Sequence, residues 1–218
     1  MPQAGIGRYP MDSGTNNYPL ERPTKKGGEP NFGTYHHTTA SASYRIRTVV
    51  KDLFIDAFRS LPFEKNDDLM ILDVGCGLGF LSCVSGEFYR NARVIGIDTF
   101  RDASLKRSSL QKAKENAKVL GLADRIEFRK CNLLEFTPRE RFDLFVSNLV
   151  YHNLGKRKFV AYSRLSSWTD SNSFVVLGDI FFSPKKDMTQ LSKDFRILRK
   201  IEPKIGSNGY SLLVMSKS

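Results

Sequence analysis

The 218-residue chain holds no stretch approaching the ~18 uninterrupted apolar residues that a membrane-spanning helix needs, which excludes a helical span. Met1–Tyr9 has no apolar run that would act as a secretory signal. Cysteine is scarce: Cys76, Cys83 and Cys131 are odd in number and lack metal-ligand spacing. Neither a disulfide framework nor a zinc cluster is indicated, and no metal site is expected. Acidic residues are also short, 23 against 34 Lys and Arg, for a formal charge of +11. What is plentiful is core material, with 40% hydrophobic residues and 16 Phe, so a wholly disordered chain is excluded. The expectation is a soluble cytoplasmic protein.

A positive surface raises the local concentration of polyanions, so RNA, DNA and anionic metabolites all gain weight as partners. The same charge also reads as a solvated, self-repelling surface. Residues 1–41 stand apart: Pro2, Pro10, Pro19, Pro23 and Pro30 recur among Gly, Asn, Ser and Thr without a helical or strand period. This extended segment cannot form a core of its own and is either a tail or a strip lying over the domain, where it would serve as a lid.

The domain proper is expected over 42–218. It opens with an amphipathic helix over 42–61, marked by Tyr44, Val49, Leu53, Phe54, Ala57 and Leu61. Short apolar runs then alternate with helical patterns. Strands are predicted at Leu69–Val74, Arg93–Asp98, Ile126–Lys130, Phe142–Ser147 and Phe174–Asp179. Helices are predicted around Phe80–Phe88, Asp102–Leu120 and Lys156–Trp168, with a short one through Met188, Leu191 and Phe195. The Asp102–Leu120 helix would turn Ala103, Leu110, Ala113, Ala117 and Leu120 inward. Its outer face would carry Lys106, Arg107, Lys112, Lys114 and Lys118, and Gly121 would stop it. Ile197–Ile201 and Tyr210–Met215, joined by a loop with Gly206 and Asn208-Gly209, leave no room for a helix and read as an antiparallel hairpin. The pattern predicts an α/β doubly wound, mostly parallel sheet with one antiparallel strand.

The strongest local signal is Asp73-Val74-Gly75-Cys76-Gly77-Leu78-Gly79-Phe80, where a buried strand meets a helix through three glycines. Glycines at alternate positions let a ligand approach the backbone and permit positive φ; a tight strand-to-helix connection would need the same residues. Dinucleotide sites use G-x-G-x-x-G, with pyrophosphate at the helix N-terminus. Here the third glycine falls one residue early, and Asp73 sits at the entrance of the turn. A carboxylate there would repel a pyrophosphate and attract an ammonium group. Asp98, ending the next strand, can accept two hydrogen bonds from ribose hydroxyls, although a strand-end acid can equally be a helix cap.

With Gly96-Ile97-Asp98, Gly121-Leu122-Ala123-Asp124-Arg125, Phe142-Asp143-Leu144 and the terminal hairpin in order, the chain resembles the class I, Rossmann-like S-adenosylmethionine-dependent methyltransferases over roughly Leu69–Ser216. The resemblance implies a seven-stranded sheet of order 3-2-1-4-5-7-6 with strand 7 antiparallel, S-adenosyl-L-methionine as cofactor and S-adenosyl-L-homocysteine as its product. It implies that Asp73 orders the cofactor's amino-acid end, and that Gly75, Cys76, Gly77 and Gly79 pack against methionine and ribose. Asp98 would hold the ribose, with Thr99 and Phe100 flanking adenine. The family often places an acid after strand three; this chain has Cys131-Asn132-Leu133, whose Asn132 amide can still meet the adenine amino group. Ser147 and Asn148 would offer backbone carbonyls to the ammonium.

The acceptor-side loop reads Ser147-Asn148-Leu149-Val150-Tyr151-His152-Asn153. Enzymes methylating exocyclic amines of bases usually carry Asn/Asp-Pro-Pro-Tyr/Phe here to clamp a planar amine, and this loop has no proline. Its run looks more like that of small-molecule methyltransferases, making His152 a candidate base or substrate contact, with Asp179 pointing toward the same cleft. Either residue would also serve structurally, the histidine bonding backbone and the acid capping a helix. Cover would come from Tyr35, His36, His37 and Tyr44, from the loop at Tyr151, and from Phe181-Phe182-Ser183-Pro184. The His36-His37 pair lacks an evident third metal ligand. The expected function is in-line methyl transfer to a small-molecule acceptor; the alternatives are a tRNA or rRNA methyltransferase, motivated by the charge, and a non-catalytic cofactor-binding scaffold.

Overall fold

The structure is a computed structural model that describes residues 28–101, 104–105, 107–203 and 209–218. Pro2, Pro10, Pro19, Pro23, Asp102, Ala103, Lys106, Gly206 and Asn208 lie outside the described residues.

Seven strands form one sheet: β1 (Met70–Val74), β2 (Arg93–Asp98), β3 (Ile126–Lys130), β4 (Leu144–Asn148), β5 (Phe174–Ile180), β6 (Phe195–Ile201) and β7 (Tyr210–Lys217). Their order is β3-β2-β1-β4-β5-β7-β6. The pairs β1/β2, β1/β4, β2/β3 and β4/β5 are parallel, whereas β7 runs antiparallel to both β5 and β6. Both the fold class and the strand order are those expected. The strand order reverses between β1 and β4, which run parallel, so the crevice at the carboxyl ends of these two strands is the switch point where α/β sheets hold ligands.

The helices are α1 (Ala40–Arg59), α2 (Phe80–Phe88), α3 (Leu110–Val119), α4 (Lys158–Trp168) and α5 (Pro184–Leu191). In α1, Ser43, Arg47, Val50, Phe54, Ala57 and Phe58 form the buried stripe, and Thr39 caps the first turn by accepting from the Ala42 amide. Helix α3 starts at Leu110 rather than Asp102. The Ser109 hydroxyl caps it by accepting from Lys112 N, and upstream Leu105 bridges antiparallel to Tyr35. Before α4 the chain makes 3₁₀ turns over Tyr151–Arg157. Phe195, expected at the end of a helix, instead begins β6 opposite Lys217.

Two apolar layers enclose the sheet. One gathers α1 and α2 with Ile71, Val94, Phe128, Leu144 and Val176; the other gathers Leu72, Ile95, Phe145, Leu177 and Leu213 with Tyr162 and Leu165 of α4. Alternate residues of each central strand enter opposite layers, as the two-residue period requires. Among the described residues no helix is long and apolar enough to cross a membrane.

Candidate active site

The turn after β1 is built from left-handed glycines, with φ of 76° at Gly75, 53° at Gly77 and 80° at Gly79. The amides of Gly75 and Cys76 both bond the Ile97 carbonyl of β2, at 2.8 and 3.0 Å, pinning the turn to its neighbour strand. Each glycine also leaves room for a side chain of this same protein. A Cβ on Gly75 would lie 2.3 Å from Val150 Cγ2, one on Gly77 2.9 Å from Leu105 Cδ2, and one on Gly79 2.6 Å from Phe128 Cζ. Gly79 therefore packs on Phe128 of the core, while Gly75 and Gly77 pack against Val150 and Leu105.

Two carboxylates hold this turn. Asp73, 1% exposed, accepts from the Ser82 hydroxyl of α2 at 2.5 Å. Burial raises its pKa to about 7, and the neighbouring Asp98 carboxylate adds to the rise. Asp98 accepts from the Gly77 amide at 2.9 Å and the Phe100 amide at 2.5 Å. Phe100 itself stands at φ 55°, a conformation a non-glycine residue holds only where its surroundings impose it. Cys76 between the carboxylates is buried, which pushes its thiol pKa well up and leaves it neutral.

The remaining expected cofactor residues divide. Thr99 lies at the end of β2 beside Phe100, its hydroxyl accepting from Arg101 N at 3.4 Å. Asn132 follows β3, but its amide oxygen accepts from Leu134 N at 3.0 Å and its nitrogen donates to Glu135 at 3.0 Å. Leu133 is buried among the apolar side chains of the second layer. Ser147 donates to the Val74 carbonyl at 2.8 Å, tying β4 to β1.

Past β4, Leu149 takes φ 58° and its amide bonds the Gly178 carbonyl at 2.8 Å, swinging the loop over the strand ends. His152 and Asp179 come together there. His152 Nδ1 lies 2.5 Å from Asp179 Oδ1, and the His152 backbone amide donates to Asp179 Oδ2 at 3.1 Å. Asp179 is 1% exposed and also accepts from the Ile180 amide at 2.8 Å. A carboxylate opposite Nδ1 makes that nitrogen the donor, leaving Nε2 as the basic atom. Phe182 stands beside the imidazole, with ring centroids 6.1 Å apart.

Tyr210 was not anticipated from the sequence. Its hydroxyl crosses β5 over Gly178 and donates to Asn148 Oδ1 at 2.9 Å. A glycine inside a buried strand signals such a close approach, and Gly178 was the clue. Tyr151 is fully buried and stacked on Tyr162, with ring centroids 5.0 Å apart. Tyr151 is therefore not free to stack on a flat amine.

Residues 28–39 lie across this end of the sheet. Asn31 pairs its backbone with the Asn116 amide, N to Oδ1 at 2.8 Å and O from Nδ2 at 3.0 Å, while Asn116 also donates to the Leu78 carbonyl. The His36 amide bonds the Ser104 carbonyl at 2.7 Å, and Arg47 lies over the Tyr35 ring at 4.5 Å. Tyr44, expected in the cover, is 57% exposed on α1. Among the described residues no three His, Cys, Asp or Glu side chains converge as for a metal.

A doubly wound sheet whose switch-point turn is glycine-rich, with a buried acid beneath it and a second acid on the adjacent strand, defines a nucleoside-cofactor-binding α/β protein. The chain belongs to the methyltransferase-domain family, whose model matches residues 65–202, more than half its length. It is similar to the tRNA1(Val) (adenine(37)-N6)-methyltransferase of Vibrio cholerae serotype O1 (strain M66-2), 31% identical over 86 residues, covering 39% of this chain and 33% of that protein. Trans-aconitate 2-methyltransferase of Streptomyces avermitilis is 28% identical over 117 residues, covering 54% of this chain and 40% of that protein. The chain thus spans well under half the length of the curated relatives it matches. Among solved structures, the N-methyltransferase NodS of Bradyrhizobium japonicum WM9 in complex with S-adenosyl-l-homocysteine superimposes with a TM-score of 0.58 at 13% identity, covering 80% of this chain and 87% of that one.

Proposed function

We propose that the protein transfers a methyl group from S-adenosylmethionine to a hydroxyl of a small organic acceptor, with His152 as the general base. The observation that carries this reading is the His152–Asp179 pair at the carboxyl end of the sheet, on the far side of β4 from the acid-bearing glycine turn. Bound there, the cofactor supplies an electrophilic methyl group. Asp98 would accept from the ribose hydroxyls, Asp73 would offer negative charge beneath the turn to an ammonium, and Thr99 and Phe100 would flank adenine. Gly75, Cys76 and Gly77 supply the backbone wall, backed by Gly79. The Ser147 and Asn148 carbonyls would meet the ammonium; Asn132 would reach adenine only by giving up its bonds to Leu134 and Glu135, and Leu133 is already packed in the core.

Asp179 keeps the His152 proton on Nδ1 and fixes the ring, so Nε2 takes the proton that the acceptor oxygen releases on attack. A proton-bearing oxygen gives this base its purpose. The buried Tyr151 ring and the lack of proline in the loop disfavour the alternative of an adenine amine held there. Residues 28–39, bonded to Asn116 and Ser104, act as the lid that excludes water.

Calorimetric titration with S-adenosylmethionine tests the cofactor half. Binding is expected, and Asp98→Ala should weaken it about ten- to a hundredfold through loss of charge-assisted bonds. Absence of both heat and thermal shift in the parent would leave only a scaffold role.

A further inference from the structure

The surface around the dyad narrows the acceptor. Phe182 is 73% exposed although it sits against the His152 imidazole, a flat apolar platform at the mouth of the site. From there the chain enters α5 through Pro184, Lys185 and Lys186, which puts two cations in the first turn, where the helix dipole opposes positive charge. Lys156 and Arg157, exposed on the 3₁₀ turns that begin at Tyr151 and His152, add two more.

Almost nothing balances this charge. The sequence from Leu144 to Thr169 has no Asp or Glu, and from Ile180 to Lys193 it has only Asp187. Asp187 is fully buried and held by Lys158 Nζ at 2.7 Å, so it does not neutralise the surface. Among the described residues Lys156, Arg157, Lys185 and Lys186 form no ion pair. The opposite case occurs beside the edge strand β3, where a larger groove of about 850 Å³ is also basic. There Arg129 is gripped by Glu127 and Glu140, and Arg125 donates to the carbonyls of Gly86, Tyr89 and Ala92. Arg125 and Arg129 thus hold the fold together, although Arg93, Lys114 and Lys118 of that groove are exposed like the four near His152; the groove at β3 lacks the His152–Asp179 pair.

A shallow groove of about 350 Å³, lined by Phe159, Lys185, Lys186, Thr189 and Gln190, lies along α5, whose first turn follows Phe182 by two residues. Its volume suits a small molecule. A single-stranded nucleic acid would instead need a run of stacking aromatics along a longer basic track.

Resting on the reading of His152 as base for a small hydroxyl acceptor, we infer that the acceptor is a planar organic acid: its ring lies on Phe182 and its carboxylate or phosphate ester reaches the Lys185–Lys186 groove. The hydroxyl is methylated and the acid is not, so the product keeps its negative charge.

The test incubates the purified full chain and methyl-labelled S-adenosylmethionine with a whole-cell extract. The reaction is split into acid-precipitable and acid-soluble pools, and the soluble pool is passed over an anion exchanger. Label is expected in the acid-soluble, exchanger-retained fraction. The double variant Lys185→Glu/Lys186→Glu should incorporate at least about tenfold less, with S-adenosylmethionine affinity unchanged by calorimetry, and ~0.3 M salt should depress the parent similarly. After unreacted S-adenosylmethionine, itself a cation, is removed and the label of a control without the added chain is subtracted, label in neutral or cationic metabolites, in ribonuclease-sensitive precipitate or in protein would overturn the inference, as would a double variant as active as the parent. No label in any pool, with cofactor binding intact, would remove the methyl-transfer reading itself and this inference with it.

Discussion

Tyr210 of β7 donates its hydroxyl hydrogen to Asn148 Oδ1 of β4 at 2.9 Å, reaching over the intervening strand β5 at Gly178. A Cβ at Gly178 would sit 2.2 Å from the Tyr210 oxygen, so the bond exists only because that position is glycine. Burial pushes the Tyr210 hydroxyl pKa far up, keeping it a donor at all working pH values. Gly178→Ala should cost about 1–3 kcal/mol through overpacking and the orphaned Asn148 amide. Pairing it with Tyr210→Phe, which removes the colliding oxygen, should cost less than the sum of the two single changes. Urea midpoints of the four proteins measure this coupling, and strict additivity would rule out the relationship.

The dyad yields the second prediction. His152→Ala should lower kcat by about 10²–10⁴ while leaving cofactor affinity unchanged, as removal of a general base does. Asp179→Asn should lower kcat less. It should also cost about 1–3 kcal/mol of stability, because buried Asp179 also accepts from the backbone amides of His152 and Ile180. Single-turnover transfer of labelled methyl, with thermal melts in parallel, separates the two effects.

The raised pKa of Asp73 predicts a proton linked to cofactor binding. A carboxyl titrating near 7 in the folded protein and in the ordinary carboxylate range when unfolded holds its proton more tightly when folded. The free protein therefore loses stability from this group as pH rises from about 4 to about 7, by a few kcal/mol, with no further change above that. Asp73→Asn should flatten that slope in chemical denaturation between pH 5 and 8. An ammonium bound near Asp73 would favour its ionised form. Titration at pH 6 in buffers of different ionisation enthalpy should then show release of up to about one proton per cofactor.

The buried pair of Lys158 and Asp187, which ties the start of α4 to α5, gives the fourth. Lys158→Met leaves the Asp187 carboxylate with only the distant Tyr162 hydroxyl at 3.4 Å. Removing one partner of such a pair should destabilise by about 3–5 kcal/mol. A double change to apolar residues should recover much of that loss, read from urea midpoints.

Much of this molecule was legible in advance because its strands are buried on both faces. Apart from Asp73, Ile71–Val74 and Val94–Ile97 read as near-continuous apolar runs, and the hairpin of β6 and β7 had no residues left over for a helix. The start of α3 was misplaced because the periodicity of Leu110, Ala113 and Ala117 extends back through Ala103, while a pairing of Leu105 with distant Tyr35 governs the intervening chain. Phe195 fits a helical spacing and a strand equally well; the partner β7 decides. Asn116, on the inner face of α3, was not singled out in the sequence, yet it is the residue that grips Asn31.

The amino-acid order alone determined the acid-bearing glycine turn, its partner acid at Asp98 and the succession of strands, since each depends on neighbours a few residues apart. The three-dimensional packing decided the rest. It brought His152 and Asp179 within bonding distance across 27 residues, laid Tyr210 over Gly178, and buried Asp187 so that the lysines beside it remain unneutralised. Contacts of that kind depend on which strands lie side by side, and local periodicity carries no record of it.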